Sequence, residues 1–317
     1  MQNRRFGNTD LEVSPICFGP MRFAAKDGTD DERSRAGRMA LERALERGVN
    51  FVHSSYEYGT RWSVGKVLAG HPRRHEVHHV IKVPVPDFDD GGRFDAAKFR
   101  LRVEEALAEL HTDRIAVIQH LQRAAPNHDE PRVAAIEAVD EPLRETFETL
   151  RDEGKVGYLT SFPYTPGFAQ AALATGTFSG LVAYYNVIEM EMARFFPALE
   201  RNGSGFLCIR PLLAGLLTDR RGDRKALPDG DRMRAPDWDR AYERLALLRQ
   251  QMVPAALTRF AIRFALAHPV VASLIIGLNT VAQVDQVIDA AAEPLDRGFF
   301  EQALAIFRQQ GPVVELG

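Results

Sequence analysis

The chain has 317 residues, of which 45% are apolar, enough to bury a sizeable core in one large barrel or two modest domains. Lysine and arginine number 40 against 43 acids, a formal charge of -3, which argues against a polyanion-binding surface and so against nucleic acid as a partner. No window approaches the ~20 apolar residues of a membrane span, and "MQNRRFGNTDLEVS" lacks the apolar stretch of a signal peptide, so a cytoplasmic protein that does not enter the membrane is expected.

In chain order, "RRFGNTDLEVS" holds two short runs around Gly7-Asn8, the composition of a β-hairpin turn. Short apolar runs then alternate with segments of helical period. "SPICFG" precedes a helix over 31–46, on which Met39, Leu41 and Leu45 are spaced for one face, and "VNFVHSS" follows. A helix near 64–68, the strand "VHHVIKVPV", a helix over 96–110 and the strand "RIAVIQHL" come next. "VGYLTSF", "GLVAYYN", "GFLCIRP" and "VASLIIG" are further strands, with helices such as 142–153 and 255–267 among them. Eight strands counted from Ser14, each followed by a helix, predict an α/β fold: one (β/α)8 TIM barrel over 1–317, with an N-terminal β-hairpin and an extra C-terminal helix.

Two polar stretches rich in turn residues, 122–140 after the fourth strand and 218–239 after the seventh, are expected to hang over the barrel mouth as lids. Each reads equally well as a solvated loop. Cys17 and Cys208 lie in apolar runs and are expected to be core residues.

Six pieces in order, "RRFGNTDLEVSPICFG", "ALERGVNFVHSSYEYG", "ALAELHTDRIAVIQHL", "LRDEGKVGYLTS", "RPLLAGLLT" and "RFALAHPVVASLIIGLNTVAQV", resemble the aldo-keto reductase family of NAD(P)H-dependent barrel enzymes. The resemblance implies that Tyr58 donates a proton to a substrate carbonyl while a nicotinamide delivers hydride, and that Lys82 tunes the phenol. The chemistry is sound on its own terms. A phenol titrating at about 10 is a weak acid at neutral pH, and a neighbouring ammonium favours its phenolate. Read singly, Tyr58 could be a rim aromatic and Lys82 a lysine that snorkels to solvent.

The pattern is altered at several positions. His53 stands where the family has the aspartate that pairs with the lysine, which leaves the centre more positive and is expected to depress the Tyr58 pKa. The family's strand-four histidine aligns with Leu121; His120, one residue earlier, reaches the site only through a bulge. Phe162-Pro163, Val182, Ile209 and Val287 replace polar or stacking cofactor contacts. Ser161, Arg210, Leu212, Gly277, Asn279 and Gln283 remain as cofactor-binding candidates, with Arg210 able to take a phosphate or carboxylate. Arg61 and Trp62, after Tyr58, and Tyr56 before it are candidates for holding substrate. The expected protein is thus a divergent reductase of a small polar carbonyl or hydroxyl compound, sugar-like or an oxo acid, as a monomer or small homo-oligomer. NAD(P)(H) is implied by the resemblance. A cofactor-independent isomerase or lyase using Tyr58, Lys82 and His53, and a non-catalytic ligand- or partner-binding barrel, stay open beside it.

Overall fold

The computed structural model describes residues 1–124, 128–219, 221, 223–252, 256–294 and 297–308. Strands β1 (Arg4–Arg5) and β2 (Glu12–Val13) pair antiparallel and form the expected hairpin. Gly7 turns with φ +57 against the 199–205 segment, where an added Cβ would meet Gly203 O at 2.4 Å, so only glycine fits there. The hairpin is stapled by Arg4, whose guanidinium donates to Val271 O at 2.6 Å and Leu266 O at 3.0 Å.

Eight parallel strands close the barrel in sequence order: β3 (Ile16–Gly19), β4 (Phe51–Ser55), β5 (His78–Pro84), β6 (Ile115–Leu121), β7 (Val156–Ser161), β8 (Gly180–Tyr184), β9 (Gly205–Ile209) and β10 (Val271–Gly277), which returns to β3. Side chains alternate between the lumen and the helical layer. Phe6, Leu11 and Val13 of the hairpin pack with Cys17, Phe51, Val80, Val117, Val182 and Leu207 from the strands, filling the lower lumen and closing its floor. The opposite faces of the strands pack on helices such as Glu32–Glu46, Ala96–Leu110 and Val281–Ala292. Asp31, Asp95 and Thr280 accept backbone hydrogen bonds at the starts of these helices, as N-caps do. The extra closing helix is Arg297–Arg308. Both cysteines are buried free thiols, Cys17 in the lumen and Cys208 in the outer layer.

The segment after β6 departs from the expected loop. Helix Asp129–Ala134 and the early start of helix Ile136–Asp152 absorb much of it, because Val139, Leu143, Phe147 and Leu150 carry one apolar face back along the second helix. The helix expected over 255–267 is described as Leu257–Leu266, and residue 255 lies outside the described residues. After β9, short 3-10 turns at Arg224–Ala226, Arg232–Arg234 and Pro236–Trp238 fold the second lid over the mouth, with Leu227 and Met233 buried beneath it. Among the described residues no helix is long and apolar enough to cross a membrane.

Candidate active site

Strand β4 ends at Ser55, whose hydroxyl accepts from Glu57 N and starts the single 3-10 turn Tyr56–Tyr58. Gly59 then leaves at φ +62, and an added Cβ would lie 2.9 Å from Lys26 O, so the tight exit requires glycine. The turn brings Tyr58 above the lumen, its ring 5.7 Å from the His53 imidazole and 5.1 Å from Lys82 Nζ.

Lys82 is neutralised by a carboxylate that the sequence reading did not assign. Its Nζ lies 2.6 Å from Glu57 Oε2, while Glu57 Oε1 takes Arg123 Nη1 at 2.8 Å. The same Arg123 nitrogen reaches Asp87 Oδ1 at 2.9 Å, and Tyr56 donates its hydroxyl to Asp87 Oδ2 at 3.1 Å beneath the Arg102 guanidinium. The result is a chain of alternating charges, Lys82–Glu57–Arg123–Asp87, two cations and two acids beside the Tyr58 turn. Burial opposes ionisation of Glu57, yet the hydrogen bonds from Lys82 and Arg123 outweigh it and hold this carboxyl below its ordinary range. Burial likewise pulls the Lys82 ammonium below its usual value, against the hydrogen bond it donates to Glu57. For Tyr58 the expectation reverses: burial, then the Glu57 charge and the neighbouring Tyr184 and Tyr164, push the phenol well above its ordinary value. The centre is less positive than the replacement of an aspartate by His53 implied, because the compensating acid arrives from the next turn.

His53 donates its Nε2 proton to Gln119 Oε1 at 2.8 Å inside the lumen, and burial, with Lys82 nearby, depresses its pKa to about 4, so the ring is neutral at pH 7. His120 does not join it. Strands β5 and β6 pair without a bulge, Lys82 opposite Gln119 and Val83 opposite His120, so the alternation turns His120 into the outer layer. There its Nε2 donates to Val85 O at 2.7 Å and its ring stacks on Phe178. Leu121 is the buried residue that ends β6.

The substrate candidates separate in the same way. Arg61 is buried on helix Arg61–Leu68, its Nε 3.1 Å from Glu109 Oε2 on the neighbouring helix, and so braces two helices away from the mouth. Trp62 donates its indole N–H to Ala25 O at 2.9 Å and packs beside Arg38 on the flank of the barrel. Tyr56 stays at the rim, held by Asp87. The walls around Tyr58 instead carry Phe162, Tyr164 and Tyr184, with Phe162 packed 5.0 Å from Tyr164 and edge-on to Tyr184 at 5.6 Å.

At the other side of the mouth, Arg210 follows β9 at φ +60, a conformation that is uncommon outside glycine and asparagine, and Asn186 Nδ2 pins its carbonyl at 3.1 Å. Its guanidinium lies 4.6 Å over Tyr184 and 5.5 Å from Trp238 of the second lid, with Glu189 Oε1 at 3.5 Å. Leu212 follows in a loop where Leu213 and Ala214 also take positive φ. Gly277 ends β10 exposed, close to Gly19 of β3. Asn279 Oδ1 is buried without a partner, while Asn279 N donates to Gln283 Oε1 at 2.9 Å, so Gln283 is spent on its own helix start. Ser161 lies opposite His120 in the β6–β7 register, which turns it to the outer face, and its buried hydroxyl has no hydrogen-bond partner among the described residues.

Sequence reasoning missed Gln119, Arg123, Tyr164 and Tyr184, and the role of Glu57. The strand alternation that places Lys82 inward also places Gln119 and Tyr184 inward, a signal present in the chain. No local pattern links Arg123 to Glu57.

The fold and these groups define a (β/α)8 barrel with Tyr58, Lys82 and Glu57 gathered at the C-terminal mouth. A profile of the Aldo/keto reductase family matches residues 15–306, and the chain belongs to that family and is an oxidoreductase. It is 29% identical to the uncharacterized oxidoreductase YrpG of Bacillus subtilis, over 98% of this chain and 97% of that protein. It is 24% identical to L-galactose dehydrogenase of Arabidopsis thaliana, over 95% and 92%. Among solved structures, the aldo-keto reductase AKR11C1 of Bacillus halodurans superposes with a TM-score of 0.74 at 25% identity, covering 96% of each chain. The glycerol dehydrogenase AKR11B4 of Gluconobacter oxydans superposes with the same TM-score at 20% identity over 99% and 98%, which speaks for the fold.

Proposed function

We propose that this oxidoreductase interconverts a carbonyl and a hydroxyl on a small, neutral, polyhydroxylated compound such as a sugar or polyol, with NAD(P)(H) as redox partner. The observation that carries the reading is the meeting of Tyr58 and Lys82 at 5.1 Å inside a charge-balanced, aromatic-walled mouth. The Lys82 and Arg123 cations are matched by the Glu57 and Asp87 carboxylates beside the reacting hydroxyl, which favours a neutral group there over an oxo-acid carboxylate. Flat aromatic faces such as Tyr184 and Tyr164 suit the apolar faces of a sugar ring. The relationship to L-galactose dehydrogenase fits the same substrate class.

The residues fit a dinucleotide at the ends of β9 and β10, where the Arg210 cation would hold a phosphate and the buried, unpartnered Asn279 Oδ1 would accept from a ribose hydroxyl, with the aromatic face of Tyr184 nearby. When bound, the nicotinamide supplies the hydride. The chain handles the proton: Tyr58, kept as a neutral phenol, donates it to the carbonyl oxygen in reduction and takes it back in oxidation. Lys82 stabilises the phenolate so formed, and neutral His53, fixed by Gln119, lines the lumen beneath. The test is thermal shift and Trp fluorescence with NADPH and NADH, followed by turnover across aldoses, polyols and oxo acids. Stabilisation by a nucleotide and turnover of neutral polyols support the reading; no shift with either nucleotide, or turnover confined to oxo acids, overturns it.

A further inference from the structure

We propose that Glu57 is the positioning carboxylate of this site, holding and aiming Lys82 from the turn that carries Tyr58, while His53 occupies the strand position from which such a carboxylate would otherwise act. The inference rests on the reading above that Tyr58 transfers the proton.

The geometry leaves Glu57 little freedom to do otherwise. Both oxygens are committed, one to Lys82 at 2.6 Å and the other to Arg123 at 2.8 Å, and its side chain is only 25% exposed. Arg123 is itself anchored, since its backbone N–H donates to Pro86 O at 2.9 Å and its guanidinium to Asp87. Asp87 is fixed in turn as the N-cap of the Phe88–Asp90 turn, with the reciprocal hydrogen bond from its own backbone N–H to Asp90. The carboxylate is therefore held from the β5 and β6 loops, and it ties the Tyr58 turn to both strands. A charge-assisted contact at this distance fixes an ammonium more firmly than the neutral imidazole of His53 could. His53 is turned to Gln119 and carries no charge at neutral pH.

Glu57 thus does two things to the reacting phenol. It orients Lys82 against the ring, and burial first, then the Glu57 charge with Tyr184 and Tyr164, opposes phenolate formation, while Arg123 acts the other way. Tyr58 should stay protonated further into alkaline solution than it would without this acid. Removing the acid shifts the alkaline limb toward neutrality, because the phenol loses an opposing charge and the ammonium loses its partner.

The experiment compares Tyr58→Phe, Glu57→Gln, Glu57→Asp and the double variant His53→Asp/Glu57→Gln, using NADPH-dependent reduction of glyceraldehyde as the activity probe. Tyrosinate absorbance of the protein without nucleotide, minus that of Tyr58→Phe, reads the phenol directly and independently of turnover. Glu57→Gln is expected to lower kcat roughly 10- to 100-fold with little change in KM, as loss of an orienting partner does. It should also move the alkaline limb and the absorbance midpoint down by about one pH unit. Glu57→Asp should keep the wild-type limb, and the double variant, which returns a carboxylate to β4, should recover kcat. Wild-type kcat and an unmoved limb in Glu57→Gln, with Tyr58→Phe inactive, overturn the proposal and leave the function standing. An equal shift in Glu57→Gln and Glu57→Asp also overturns it, since charge would not be the cause. Full activity in Tyr58→Phe strikes the proton-transfer reading itself.

Discussion

Tyr58 and Lys82 are legible through the family resemblance and their register on successive strands, since read singly a rim aromatic and a snorkelling lysine fit those positions as well. Tyr58→Phe removes the proton without altering the ring, so kcat is expected to fall roughly 100- to 10,000-fold with the fold intact, measured by steady-state turnover beside a melting curve. Unchanged turnover would remove Tyr58 from the chemistry. Asn279 brings no positive charge to the nucleotide end, so the preference for NADPH over NADH is expected to stay below about tenfold, a gap of about 1.4 kcal/mol. A hundredfold preference in the ratio of kcat/KM values would show that another cation, such as Arg210, reads the extra phosphate. The partner of Lys82 was not legible for a physical reason. Glu57 and Arg123 lie far apart in the chain and meet only because Ser55 pairs with Lys82 and Lys82 with Gln119 across strands. His120, by contrast, was decided by parity alone once the strands paired without a bulge.

At the scale of elements, the eight strands and most helices could be read from apolar periodicity, while the lids could not. Composition rich in turn residues predicts exposure, yet helix Asp129–Ala134 buries Arg132 against Tyr164 and Phe168, a contact between segments that no local pattern encodes. Arg61 was misplaced similarly, since position after Tyr58 suggested the mouth but helical winding turned it to Glu109. Helix Arg61–Leu68 supports the Tyr58 turn and crosses helix Ala96–Leu110 closely at Gly65, where an added Cβ would meet Glu109 O at 2.0 Å. Gly65→Ala should therefore destabilise by about 1–3 kcal/mol, as overpacking does, and lower activity through the displaced turn, both measurable by urea melts and turnover. The second lid is fastened by Trp238, which packs on Arg210 and Arg232. Trp238→Ala should expose the 223–239 segment to limited proteolysis, and an unchanged digestion pattern would show that the capped turns hold it alone.

For the molecule as a whole, three buried histidines, His53, His79 and His120, have pKa values depressed to about 4, with burial the first cause in each. Each binds a proton more readily unfolded than folded, so stability is fully present above about pH 6.5 and falls as the pH drops toward about 4. Three such groups give a slope approaching about 4 kcal/mol per pH unit near the middle of that window. His79 has no partner at either ring nitrogen, so His79→Leu should flatten the fall in melting temperature between neutral and mildly acidic buffer. An identical slope in that variant would place the acid sensitivity elsewhere. The hairpin plug has a further consequence. With Phe6, Leu11 and Val13 filling the space below, anything that reaches Tyr58 along the barrel axis comes and goes through one doorway at the top. The proposed nucleotide and substrate would share that doorway and queue, the deeper one entering first and leaving last, and an excess of the shallower one should trap the deeper one behind it.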